Sequence, residues 1–374
     1  MNQLSGVVIN LNQKRVWKLA FGEEYNEEKL IRSTLLLLRK DELYDVAKRH
    51  KLAVKKKMKK EEIAAIITGV LVDHFKVDVQ YLLLDEFLFL LKVIIETYKD
   101  EFDEEFLDSL QEMPFFDEYE VDEDDALFLI EMGYVVIKEK SDDEHMALTH
   151  FPLNDYFMLN LSEIMLKTTV NDTLLDYLEG LTNLYGCLSI DQFLHIWDKY
   201  NEESIKKEDI KRFIEQMQRR GYEFWNEGNY IIHEFLDRED YLELLEASSK
   251  KPYYIPTEDE IYIYAEHFID PTSEAYKKIE DYFKKHREGL TEEEIEELIY
   301  NVTLALKFDS YPSDIFRILD AEGYQIEDEN AVMAFSKVLA SAINNTRKWV
   351  NRGATPNELS KHFGKPFMKD FPFS

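Results

Sequence analysis

The chain has 374 residues, with 45 Lys and Arg against 76 Asp and Glu, a formal charge of −31. A 45% hydrophobic and 13% aromatic content excludes disorder of the whole chain, and 12 Gly with 9 Pro against 32% charged residues disfavours a turn-rich sandwich or barrel. The expected class is a mainly α, multi-domain helical protein carrying small β-hairpins.

In chain order, the first strong signal is basic. Arg39 to Lys60 holds ten basic and three acidic residues, a net of +7, which leaves −38 for the rest. Leu43, Val46, Ala47 and His50 recur at helical spacing, and Ile63, Ile66, Ile67, Val70 and Leu71 repeat that stripe after a Lys-rich turn. Two short helices flanking a basic turn are expected. The greasiest stretch, Tyr81 to Glu96, is interrupted by Asp85, Glu86 and Lys92, so no membrane partner is expected. Between Asp100 and Asp125 lie fourteen acidic side chains and no basic one, a self-repelling stretch that reads as the edge of a domain.

Asp124 to Met132 reads as a helix stopped by Gly133, and Tyr134 to Glu139 and His145 to Phe151 as two strands around Ser141, Asp142 and Asp143. The pattern returns in fuller form downstream. Ser189 is placed to cap a helix bearing Phe193, Leu194, Trp197 and Tyr200; after a turn, Ile210, Phe213, Ile214 and Met217 stripe a second helix ended by Gly221. Tyr222 to Trp225 and Tyr230 to His233 then flank Asn226-Glu-Gly-Asn229 as a hairpin. Helix, turn, helix and hairpin in that order is the winged-helix arrangement.

Pro252 to Pro256 reads as a linker to a helical remainder. Thr257 with Glu260, Thr291 with Glu294, and Thr355-Pro356 with Glu358 have capping-box spacing, and a long helix is expected from Val332 to about Val350. The tail from Phe363 has no usable periodicity. The expected segments are 1–34, the two-helix unit 35–76, a helical and hairpin domain 77–165 (a degenerate winged helix), a winged-helix-like domain 166–250, and a helical domain 251–374.

Leu38-Arg-Lys-Asp-Glu-Leu-Tyr-Asp-Val-Ala-Lys-Arg-His-Lys-Leu52, followed by Met58-Lys-Lys-Glu-Glu-Ile-Ala-Ala-Ile66, resembles the SAP motif and the related N-terminal domain of transcription termination factor Rho. The resemblance covers about forty residues and implies nucleic-acid binding, with Lys59 and Lys60 at the matching start of the second helix. Asn344 to Leu359 is similar to a segment that precedes the SEC-C zinc motif in some bacterial proteins; the cysteines of that motif are absent after it, so no zinc is implied.

Clustered lysines bind polyanions by neutralising phosphates and releasing counterions, which makes Lys48, Arg49, Lys51, Lys55, Lys56, Lys57, Lys59 and Lys60 the candidate nucleic-acid contacts. Lys207, Lys211 and Arg212 join them from the second helix of the winged-helix segment, where Glu208, Asp209 and Glu215 oppose phosphate and make protein docking an equal reading. His145 and His150, five apart on a strand, point to opposite faces and share no metal. His195 reads as a core or surface residue and Cys187 as a small buried hydrophobe. The acids at Asp117 to Asp125 lack the glycine and alternating ligands of a calcium loop.

No phosphate loop, dinucleotide fingerprint, nucleophile elbow or H-E-x-x-H is present. No catalytic residue, metal or cofactor is expected. The lone cysteine, and an opening that lacks a signal-peptide pattern, lead to a cytoplasmic expectation. Two readings remain: a non-enzymatic bacterial regulatory protein contacting DNA or RNA, and an acidic interaction protein whose carboxylates occupy a partner's basic surface.

Overall fold

The computed structural model describes residues 26–98, 124–141, 144–222, 224–286, 290–324, 326 and 328–364. Among them are sixteen α-helices and two small antiparallel sheets, a mainly α architecture. The acidic stretch up to residue 123, most of the 1–34 segment and the tail from residue 365 lie outside the described residues. The chain forms two compact units, residues 1–173 and 174–374.

The first unit contains α1 (Glu27–Leu35), α2 (Lys40–Arg49), α3 (Lys60–Asp78), α4 (Leu84–Tyr98), α5 (Leu127–Glu131), β1 (Val135–Ser141), β2 (Glu144–Thr149), α6 (Phe151–Leu159) and the start of α7 (Leu161–Tyr185). Leu43, Val46 and Ala47 of α2 and Ile63, Ala64, Ile67, Leu71 and Phe75 of α3 enter one core. Ile66 and Val70, expected inside, are half-buried, because Ala64 and Phe75 take the inner positions. Helix α4 buries a continuous run, Phe87 to Leu91, as a helix enclosed on all sides must. That core joins residues from Ile31 to Ile164, so the two-helix segment and the helix-plus-hairpin segment share their apolar interior.

The hairpin pairs Val135 with Thr149 and Ile137 with Ala147. Its second strand was expected to reach Phe151 but stops at Thr149, because Pro152 in the first turn of α6 favours helix. The helix expected over Asp124 to Met132 is shorter, a 3₁₀ turn at Asp124–Ala126 leading into α5, whose cap residue Ala126 offers no side-chain acceptor. At the end of α2, His50 is buried; its Nε2 donates to the Met132 carbonyl at 2.8 Å and its Nδ1 lies 2.7 Å from Nδ1 of His74. His150 is fully buried, with Nε2 donating to the Gly133 carbonyl at 2.7 Å. The side chain of His145 lies outside the described part.

The second unit continues with β3 (Cys187–Ser189), α8 (Ile190–Tyr200), α9 (Lys207–Arg219), β4 (Trp225–Glu227), β5 (Tyr230–Ile232), α10 (Arg238–Ser248), α11 (Glu258–Glu266), α12 (Glu274–Lys285), α13 (Glu292–Lys307), α14 (Pro312–Ala321), α15 (Glu329–Asn345) and α16 (Pro356–Phe363). Its sheet has the order β3-β5-β4. The hairpin turns through Gly228, at φ +61°, which lets Trp225 pair with Ile232; the first strand therefore lies at Trp225–Glu227 rather than Tyr222–Trp225. Ser189 caps α8 through Gln192 N at 3.1 Å.

The capping boxes at Thr257, Thr291 and Thr355 all form. The long helix expected to reach Val350 ends at Asn345, and a 3₁₀ turn at Trp349–Asn351 follows. Three ion pairs draw the chain out of the helix there: Arg347 bonds Glu260 at 2.9 Å and Glu358 at 3.0 Å, and Lys348 bonds Asp309 at 2.7 Å. Trp349 is thereby buried, donating from Nε1 to the Asn183 carbonyl at 2.8 Å. The Pro252 to Pro256 stretch, expected as a linker, is tied at both sides: Tyr254 N donates to Arg352 O at 3.0 Å, and the Tyr185 hydroxyl to Tyr254 O at 2.6 Å.

Candidate nucleic-acid interface

The Lys-rich turn is built by its backbone. Helix α2 ends at His50, and Lys51 enters the left-handed region at φ +59°. Lys51 N then donates to Lys48 O at 2.8 Å and Leu52 N to Ala47 O at 2.9 Å, the two bonds of a Schellman motif. Leu52 follows with its side chain packed on the core, the apolar contact that such a motif uses. Beyond it Met58 N donates to Lys55 O at 2.9 Å, closing a turn with Lys56 and Lys57 at its corner, and Lys55 N points at the Met58 sulfur at 3.3 Å.

Helix α3 begins where Lys59 N donates to the Glu62 carboxylate at 2.8 Å. Lys40, one of the ten basic residues of this segment but not among the candidate contacts, clips the turn to the start of α2 by donating from Nζ to Lys56 O at 2.8 Å. Leu52, Val54 and Met58 are half-buried against the core, while Lys51, Lys55, Lys56, Lys57 and Lys59 are exposed and Lys60 is half-buried. Apolar anchors alternating with lysines thus push the amines outward from an ordered turn.

The candidate cations divide into two groups. Lys51, Lys55, Lys56, Lys57, Lys59 and Lys60 have no ion-pair partner among the described residues. Arg49, in contrast, is paired with Glu131, and the Lys48 amine sits 4.6 Å from the centre of the Tyr44 ring. In the second unit Lys207 bonds Asp191 at 2.5 Å, and Asn229 of the hairpin turn bonds the same carboxylate at 2.9 Å. Those hydrogen bonds, from Lys207 first and Asn229 second, hold the Asp191 carboxyl below its usual range.

Arg212 lies 3.5 Å from Asp209 on its own helix, and Lys211 is half-buried. Lys207 therefore fastens α9 to the head of α8. His195 is exposed, and Cys187 is buried in strand β3 with its thiol pushed up to about 12 by burial, which makes it an unreactive thiol. Among the described residues no group of three or more His, Cys, Asp or Glu side chains is placed to hold a metal ion, and no helix is long and apolar enough to cross a membrane.

Comparison of the chain with protein-family models, with curated proteins and with solved structures finds no significant match.

Proposed function

We propose that this is a non-enzymatic, cytoplasmic bacterial regulatory protein that contacts the phosphates of DNA or RNA through its SAP/Rho-like two-helix unit. One observation carries the reading: six lysine amines, from Lys51 to Lys60, leave a backbone-ordered turn without carboxylate partners among the described residues, in a chain of charge −31. In so acidic a protein a basic side chain has many carboxylates to meet, and a cluster that meets none among the described residues is available to an external polyanion. The segment from β3 to β5 is in this reading a winged-helix-type module that makes protein contacts, since Lys207 and Arg212 are already occupied by Asp191 and Asp209.

A second reading follows from the net charge, which suits an adaptor that fills a basic groove on a protein partner. Binding of the full-length protein to labelled single- and double-stranded DNA and RNA across a salt series decides between them. The first reading expects binding that weakens steeply with salt. Absence of binding even near 0.01 M salt, where the Debye length is about 30 Å, leaves the acidic adaptor as the better account.

A further inference from the structure

The second unit contains a half-open cavity of about 620 Å³ between α11, the start of α12, α13 and the chain from Asn345 to α16. That size accommodates a small organic molecule. Lys307, in the last turn of α13, lines it and is only 3% exposed. Its position follows from the helix pattern: Val302, Ala305 and Leu306 are buried around it, so the lysine is carried inward with the apolar face.

The described residues contain two buried lysines, and the fold treats them differently. Lys348 is also 3% exposed and meets Asp309 at 2.7 Å. Lys307 meets no carboxylate among the described residues; its amine donates to the Phe268 carbonyl and lies 4.0 Å from the centre of the Phe268 ring and 5.0 Å from that of Tyr264. An ammonium has three donors, and among the described residues only one finds an acceptor. The rings favour a cation electrostatically but do not supply a counter-charge. Burial accordingly pushes the amine well below the usual ammonium range. Tyr264 lines the same cavity, and its hydroxyl has no hydrogen-bond partner among the described residues. Burial pushes that phenol up, so it stays protonated and able to donate.

We propose that this cavity is a binding site for a small organic carboxylate, whose anionic group pairs with Lys307 and accepts a hydrogen bond from Tyr264. The charge count selects a carboxylate over a phosphate. Arg347 on the same wall is already shared between Glu260 and Glu358, so it has little attraction left to offer. Glu260, Asp270, Glu274 and Glu358 line the cavity against Lys307, Arg347 and Lys361, four carboxylates to three cations, so a dianion meets a net negative lining. A monoanion gives Lys307 the counter-charge that the protein withholds.

The test is calorimetric titration of the full chain with benzoate, with benzamide as the neutral isostere and phenylphosphonate as the dianion. Benzoate is expected to bind saturably at one site, with benzamide and phenylphosphonate at least roughly tenfold weaker, as fits loss of one charge-assisted hydrogen bond. Lys307→Met, which keeps volume and removes the uncompensated amine, is expected to melt higher than the parent and to lose benzoate binding. Tyr264→Phe removes a hydroxyl that no group among the described residues uses, so it is expected to fold normally and bind benzoate several-fold more weakly. The assignment is overturned by absence of saturable benzoate binding, by benzamide or phenylphosphonate binding as well as benzoate, or by a lower melting temperature with unchanged affinity in Lys307→Met. If Lys307→Met does not fold, unchanged benzoate affinity in Tyr264→Phe overturns it.

Discussion

Replacing Lys55, Lys56, Lys57, Lys59 and Lys60 together with Gln takes the Arg39 to Lys60 segment from +7 to +2 and the chain from −31 to −36. The fold should not register the change. Every hydrogen bond that shapes the turn uses backbone atoms of these residues: Lys55 N to Met58, Lys56 O from Lys40, Lys59 N to Glu62. Exposed substitutions of this kind alter stability by only about 0.5 kcal/mol each. Each phosphate contact contributes about 0.9 to the slope of log affinity against log salt on duplex DNA and about 0.7 on single strands. Five contacts therefore correspond to a slope of up to about 4.5 on duplex, which over a fourfold change in salt is roughly a 500-fold change in affinity.

The assay is fluorescence anisotropy with labelled duplex and single strands, run on the wild type, the quintuple variant and a control. In the control the exposed lysines Lys250, Lys277 and Lys337 become Gln. The quintuple variant is expected to bind weakly and with a shallow slope, whereas the control keeps the wild-type slope. Equal slopes in the wild type and the quintuple variant, or an equal loss in the control, would refute the assignment of phosphate contact to this turn.

Gly186→Ala is expected to destabilise the second unit by about 2–5 kcal/mol, because its φ of +70° is costly for a residue with a Cβ and that Cβ would come within 2.4 Å of the Trp349 ring. A melting temperature within a degree of the parent would show that Trp349 does not hold this position. For His150, burial outweighs the bond to Gly133 and lowers the pKa from 6.5 to about 4. The folded state thus favours neutral imidazole, and the unfolded state binds more protons between those values. Its contribution is fully present above pH 6.5 and is lost as the pH falls toward 4, up to about 3 kcal/mol. In denaturant unfolding, the stability difference between wild type and His150→Gln should shrink over that window; parallel pH profiles would contradict it.

What was legible in the sequence was local. Thr257 with Glu260, or Thr291 with Glu294, form their boxes within one turn of chain, so spacing alone identifies the helix starts. The stripe Leu43, Val46, Ala47 and His50 was legible for the same reason. Strand β3 was not: it has three residues, and its existence depends on β5, with Cys187 opposite Ile232. The candidate lysines were visible as a cluster, but their separation from the occupied cations was not. Arg49 meets Glu131, and Lys207 meets Asp191, across distances in sequence that periodicity does not cover. Lys307 gave no signal, since its isolation is a property of the groups that surround it in space.

The contact between His50 and His74 fixes more than packing. A carbonyl oxygen only accepts, so the Met132 carbonyl places a proton on Nε2 of His50. With both rings neutral, Nδ1 of His50 is then a lone pair, and the proton between the two rings belongs to Nδ1 of His74. His74 is left with an unprotonated Nε2 on a half-buried ring. In that doubly neutral form the two rings have opposite tautomers, set by a carbonyl 82 residues from His50. In ¹⁵N spectra the two imidazoles should be distinguishable by which nitrogen bears hydrogen, with slow solvent exchange for both shared protons. Those resonances report, from inside the first unit, whether α2 remains docked on α3 and on the turn after α5, and so whether the lysine turn retains its support.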